Sequence, residues 1–350
     1  MSLLLERLEI KHPIFLAPMA GVSTPELAAE VSNQGGLGSL GLGANTAEAA
    51  RSQILQTQAL TEQPFQVNFF CHQSVELDPT IAQTWIDFVR PHFEQYDAEP
   101  PTQLHCIYPS FLDNGDFLNV VLETRPKAVS FHFGIPHPHQ IQALKDAGIL
   151  TLVSATNLAE AQAIEAAGID FIIAQGIEAG GHRGIFNEHF DSAIRTVDLV
   201  QLLTQHCQCP IIAAGGIMNG TQAQQMLSLG ASAVQLGTAF VQCKTSNAND
   251  AYRHALFHEH ITQISASVSG RPARGLLGHW HTQIDLPNRP AVAAYPYCYD
   301  LGKQLHAAAT KQGDQGFGAF WAGTNVSQIR SMEAPDLINQ LLVEMQQVSY

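Results

Sequence analysis

Positive charge is scarce in this 350-residue chain, where 17 lysines and arginines stand against 31 acidic residues for a formal charge of -14. That balance repels nucleic-acid phosphates and anionic lipid alike, and no local basic stripe offsets it, so neither is an expected partner. Charged residues of either sign make up only 14% of the chain, which leaves Gln, Asn, Ser and Thr to carry much of the surface. No apolar run is long enough to span a bilayer, so no membrane partner is expected. The opening leucines are interrupted by Glu6, Arg7 and Glu9, unlike a secretory leader. Cysteine is sparse and scattered, and Cys207 and Cys209, the only close pair, lack a second pair to complete a zinc site. Reduced thiols and a cytoplasmic location are the expectation.

What is present points to a large core, since 45% of the residues are hydrophobic. Short apolar runs alternate with amphipathic stretches from residue 14 to about 240. Strand candidates are residues 14–17, 37–40, 65–69, 104–107, 128–133, 150–154, 170–174, 210–214 and 233–236. Residues 104–107 are set aside, because they sit in a long Pro-, His- and Asp-containing insertion between Cys71 and Arg125 without a clear strand-helix rhythm. The other eight predict a (β/α)8 TIM barrel. Helices are expected over residues 25–33, 46–61, 138–147, 158–167, 192–206, 221–229 and 334–348. After Phe240 the rhythm stops. Residues 241–311 are read as a small helical substrate-covering domain over the mouth, with residues 1–240 and 312–350 forming the barrel.

The most informative loop runs from Gln175 through Gly176, Gly180 and Gly181 to His182, straight after a strand candidate. Loops at the carboxyl ends of barrel strands carry the chemistry, and an imidazole there could move a proton or steady an anion. Two further turns, Gly215-Gly216 and Gly237-Thr238, follow the seventh and eighth strands, the places where barrels bind phosphate through backbone N–H groups. Such glycines could also serve only tight turns; two together favour phosphate. Asn68 and Gln175 sit at strand ends, where amides can meet the edge of a heterocycle or simply satisfy the core. His132 lies between Phe131 and Phe133, so it faces the lumen if both phenylalanines pack outward. Tyr299 and Lys303 are one helical turn apart. Arg271 and Arg274 are open between anion contact and surface pairing.

Several patterns mislead. Gly36, Gly38 and Gly41 match the dinucleotide fingerprint, but the glycines lie in and around a strand that follows a helix, so close packing explains them better. The pairs His137/His139, His258/His260 and His279/His281 lack zinc-site spacing or a third ligand, and no metal is expected.

Together, the segment from Ala17 and Pro18 through Met19, Ala20 and Gly21, the Gln175 to His182 loop, Ala213 to Ile217 and Val234 to Thr238 resemble the motif set of class I nitronate monooxygenases, formerly called 2-nitropropane dioxygenases. The resemblance covers nearly the whole chain. It implies a flavoprotein that binds FMN non-covalently through Met19, Ala20, Gly21, Asn68, Gln175, Gly180, Gly215, Gly216, Gln235, Leu236, Gly237 and Thr238. His182 would be the catalytic residue, either removing the α-proton of a nitroalkane or holding an anionic nitronate. His132, Tyr299 and Lys303 would line the substrate pocket. The implied reaction converts alkyl nitronates such as propionate 3-nitronate, with O2, to a carbonyl compound and nitrite through one-electron flavin chemistry. The resemblance is compatible with a homodimer. Rival readings are a flavin-dependent NAD(P)H:quinone or enoyl reductase on the same scaffold and a non-catalytic flavin- or phosphate-binding barrel.

Overall fold

The computed structural model describes residues 3–347. The eight retained apolar runs form β1 (Ile14–Leu16), β2 (Gly38–Gly41), β3 (Phe65–Phe70), β4 (Ala128–His132), β5 (Leu150–Ala155), β6 (Phe171–Gln175), β7 (Ile211–Ala214) and β8 (Ala233–Leu236). Sequential strands from β2 to β8 pair in parallel, β8 pairs in parallel with β1, and a parallel bridge between Phe15 and Leu37 joins β1 to β2. The ring therefore closes as the expected (β/α)8 barrel. Residues 104–107 form no strand.

The helices are α1 (Leu3–Leu8), α2 (Pro25–Asn33), α3 (Ala47–Leu60), α4 (Pro79–Glu94), α5 (Gly115–Thr124), α6 (Pro138–Asp146), α7 (Leu158–Ala166), α8 (Thr196–His206), α9 (Gly220–Ser228), α10 (Asp250–His258), α11 (Tyr297–Lys311) and α12 (Ala334–Gln347). Their starts follow from side chains that accept backbone N–H bonds: Thr24 caps α2, Asn157 caps α7 and Asn219 caps α9. The expected end of the last helix, Val348, lies outside the described residues.

Strand parity places the site. On β4, Val129 and Phe131 pack outward in the main helix-facing core, whereas Ala128 packs in the lumen with Phe15, Leu152, Phe171, Ile173, Ile212 and Ala233. Side chains two apart share a face, so His132 on β4, Asn68 on β3, Ser154 on β5, Gln175 on β6 and Gln235 on β8 form the uppermost lumen layer. The bottom is plugged by Leu4 and Leu8 of α1 together with Ile10.

Three expectations change. The segment between Cys71 and Arg125 does hold helices, α4 and α5. Asp78 caps α4 with Pro79 at its first turn, and Ala82, Trp85, Ile86, Val89 and Phe93 recur at helical spacing; the late Pro91 and the polar flanks hide this pattern. Phe133 does not continue the strand: its φ of 74° turns it out of alternation, and it joins a buried cluster with Tyr108 and Tyr295 rather than packing outward against helices. Residues 241–311 also contain the strands Thr262–Ser265 and Ala273–Leu276 besides helices. These strands form a small antiparallel sheet with the two-residue strand Gly181–His182.

The fingerprint-like glycines are packing devices, as expected. A Cβ at Gly38 would stand 2.0 Å from the carbonyl oxygen of Ala28 on α2, and one at Gly41 would stand 2.6 Å from the nitrogen of Ala20. No helix among the described residues is long and apolar enough to cross a membrane.

Candidate active site

A cavity of about 490 Å3 opens at the carboxyl ends of the strands. It brings together His182, His132, Tyr299, Lys303, Met19, Ala20, Gly21, Asn68, Gln175, Gly180, Gly215, Gly216, Gln235, Gly237 and Thr238. Of the site residues that the family resemblance implies, Leu236 alone stays off the wall; it packs in the helix-facing core, and the chain reaches the cavity one residue later.

His182 is pinned from both sides. Its strand pairs with Ala273 and Arg274. Its carbonyl oxygen accepts a bond from Nε2 of Gln175 at 3.0 Å and from Nε2 of His132 at 3.1 Å. A carbonyl only accepts, so His132 carries its proton on Nε2, and its Nδ1 takes the hydroxyl proton of Ser154 at 3.0 Å. His132 thus steadies the loop that carries His182. Nε2 of His182 lies 2.8 Å from Oγ of Ser269. The ring stands among Phe133, Tyr295, Tyr299 and Trp321, with centroids 5.3 to 6.0 Å away. Burial first, then His132 in its protonated form and the Arg271 guanidinium, lower its pKa to about 3, and burial lowers that of His132 to about 4. Both imidazoles are neutral at ordinary pH.

Gln175 is more a clamp than a free amide. Its oxygen accepts from Nη1 of Arg183 at 2.9 Å and from the backbone nitrogen of Gly184 at 2.7 Å. Asn68 spends its amide nitrogen on Ser130, at 3.1 Å to the carbonyl and 3.0 Å to the hydroxyl, leaving its oxygen for the cavity. Arg271 and Arg274 hold backbone carbonyls rather than lining the cavity, and Arg271 also lies 3.9 Å from the Glu188 carboxylate. Buried Arg271 donates to the carbonyl of Ile185 at 2.7 Å and lies 4.4 Å from the Phe133 ring centroid, while Arg274 holds the carbonyl of Ile177 at 3.0 and 3.1 Å. On α11, Nζ of Lys303 sits 4.9 Å from the ring of Tyr108 and 5.5 Å from that of Tyr299. Burial lowers the pKa of this ammonium and raises that of the Tyr299 phenol to about 12.

The glycine turns offer donors. The backbone N–H groups of Gly216, Gly237 and Thr238 line the cavity and donate to no other described residue. The N-terminus of α9 does not share in this: Glu344 takes the N–H of Gly220 at 2.7 Å, and the Gln222 side chain takes that of Met218 at 2.8 Å. A Cβ at Gly180 would stand 2.6 Å from the carbonyl carbon of Ala322, and Gly215 and Gly216 have φ of 123° and 69°.

Sequence reasoning missed Tyr108, Tyr295, Trp321 and Ser269. The first three line the cavity, and the hydroxyl of buried Tyr295 has no partner among the described residues. Isolated aromatics in loops carry no spacing signal that could have marked them.

The sequence model of the nitronate monooxygenase family matches residues 1–344. The chain belongs to that family. It is 50% identical to a nitronate monooxygenase of Paraburkholderia phytofirmans over 98% of this chain and 95% of that one. It is 47% identical to one of Pseudomonas aeruginosa over 97% of each. Among solved structures, a nitroalkane oxidase from Streptomyces ansochromogenes superposes with a TM-score of 0.88 at 36% identity, covering 99% of this chain and 98% of that one. FabK from Thermotoga maritima follows the same fold at a TM-score of 0.74 and 27% identity, covering 99% and 96%.

Proposed function

We propose that the chain converts alkyl nitronates, propionate 3-nitronate among them, with O2 into a carbonyl compound and nitrite, using FMN held without a covalent bond in the barrel mouth. Membership of the nitronate monooxygenase family supports the oxidative conversion of nitronates. The observation that carries the site assignment is one cavity that combines a neutral imidazole with unpaired backbone N–H donors.

The residues fit the cofactor. Unpaired N–H groups of Gly216, Gly237 and Thr238 suit a phosphate, with Leu236 setting the turn from the core and Gln235 beside it. Asn68 offers its amide oxygen to a flat polar ring and Gln175, whose oxygen is already clamped, only its second N–H; Met19, Ala20 and Gly21 form a facing wall, and Gly180 and Gly215 let their loops pack closely on Ala322 and Thr196. When bound, FMN supplies the electron acceptor that lies between nitronate and O2.

The protein's own part is positional and electrostatic. His182, neutral in its aromatic surround, takes the α-proton of a nitroalkane or faces the nitronate that arrives ready made. His132 fixes its backbone. Lys303 and Tyr299 meet the negative charge of the substrate. Residues 241–311, packed on α4, serve as the cover, the rest of residues 1–240 and 312–350 form the cofactor-binding barrel, and the working form is a cytoplasmic homodimer.

The test starts with the visible spectrum of the purified protein and continues with oxygen uptake and nitrite release on propionate 3-nitronate. A colourless protein that FMN cannot reconstitute, or one that bleaches with NADH but ignores nitronates, sinks the reading. His182→Asn is expected to lose about a hundredfold or more on a neutral nitroalkane and little on the matching nitronate. Equal losses on both remove the base role.

A further inference from the structure

We infer that Ser269 is a positioning residue whose buried hydroxyl holds the His182 ring with its proton on Nε2, so that the Nδ1 lone pair faces the cavity. The inference rests on the reading of His182 as the group beside the substrate. Ser269 is fully buried and has three polar neighbours. Its Oγ lies 2.8 Å from Nε2 of His182, 3.1 Å from the carbonyl oxygen of Arg271 and 3.4 Å from the backbone nitrogen of Arg271.

A hydroxyl has one proton to give and two lone pairs to offer. Given to the Arg271 carbonyl, that proton leaves the lone pairs for the Arg271 N–H and an Nε2–H of His182, and all three contacts are satisfied. Given to His182 instead, it strands the Arg271 carbonyl, which accepts from no other described residue. A buried carbonyl without a donor is the costlier arrangement, so the first is selected. Nδ1 of His182 makes no hydrogen bond within the described residues, and the ring lines the cavity.

The consequence separates the two roles left open for His182. With its lone pair outward, the ring accepts a proton: the C–H bond of the substrate breaks, a bond forms between Nδ1 and that proton, and the electron pair stays on carbon and spreads into the nitro group. The same lone pair opposes an anion, which assigns the negative charge of a nitronate to Lys303 and the Tyr299 hydroxyl.

The tautomer can be read without turnover. The full-length protein, with the cofactor it retains on purification, is labelled with 15N-histidine, and the His182 signals are assigned by difference from His182→Gln. A protonated Nε2 and an unprotonated Nδ1 are expected. In Ser269→Ala both signals should shift towards the positions of exchanging tautomers, and Ser269→Thr, which keeps the hydroxyl, should restore the wild-type pattern. A protonated Nδ1 in the wild type, or unshifted signals in Ser269→Ala, overturns the proposal; should Ser269→Ala fail to fold, the wild-type spectrum decides. Failure to oxidise nitronates alongside a protonated Nε2 would sink the functional reading and leave the Ser269 assignment standing.

Discussion

Three histidines crowd the ring of Phe133: His132 at 4.7 Å, His182 at 5.6 Å and His72 at 6.4 Å between centroids. The positive φ of Phe133 makes the arrangement possible, because it swings that ring off the strand and into the buried cluster with Tyr108 and Tyr295. Each imidazole is stripped of water, and burial is the leading cause that lowers His182 to about 3 and His132 and His72 to about 4. The buried cation Arg271 adds to this at all three, while Asp113 opposes it at His72. In the window between those values and about 6.5, the unfolded chain binds more protons than the folded one, so stability rises with pH there. The stabilising effect of neutral histidine is complete above about pH 6.5 and fades as pH falls, each group contributing up to roughly 1.4 kcal/mol per pH unit. His72 is the cleanest probe, since its Nδ1 has no partner among the described residues and it does not line the cavity. His72→Phe should therefore lower the proton uptake on unfolding by about one between pH 5 and 6, as measured from urea midpoints across that range. An unchanged slope would mean that His72 is already protonated in the folded protein.

Among the elements, the loop from Gln175 to Gly184 is the decisive one, and it is held by charge rather than by apolar packing. Arg183, fully buried, bonds Asp191 at 2.7 Å, the Gln175 oxygen at 2.9 Å and the Gly176 carbonyl at 2.7 Å. Removing that cation leaves the Gln175 oxygen, the Gly176 carbonyl and the Asp191 carboxylate short of a partner, so Arg183→Met should cost about 3–5 kcal/mol in denaturant unfolding. It should also lower kcat, because the residue before it on this loop is His182. Arg195→Ala, which breaks a solvent-exposed pair with Asp198, should leave both unchanged and serves as the control. If Arg183→Met retains full kcat, the loop does not need its tether. Glycine spacing and the position after a strand made this loop legible in the sequence, and the parity of β4 made the direction of His132 legible. The roles of Gln175 and Arg274 were not, because an amide or guanidinium reads alike in sequence whether it meets a ligand or ties down a backbone carbonyl.

At the scale of the whole molecule, the barrel was readable because parallel strands buried on both faces must be continuous apolar runs, and eight such runs occur in order. The second hydrophobic core was harder, since it is assembled from distant stretches: Trp85, Val89 and Phe93 of α4 pack with Trp280, Leu301 and Leu305, the last two on α11. Local pattern cannot announce a partner some two hundred residues away, so α4 looked like an insertion without a task. Its task follows from the contact, because α11 presents Tyr299 and Lys303 to the cavity and α4 supports α11 from behind. Trp85→Ala removes the largest side chain on that supporting face and should cost about 3–5 kcal/mol in stability. The cavity wall formed by the barrel strands stays intact, whereas the angle of α11 relaxes. KM for propionate 3-nitronate should therefore rise more than kcat falls, and bound cofactor, read from the visible spectrum, should remain near the wild-type level. A variant destabilised to that extent but with an unaltered KM would show that Tyr299 and Lys303 are placed without α4, which then adds stability but does not shape the site.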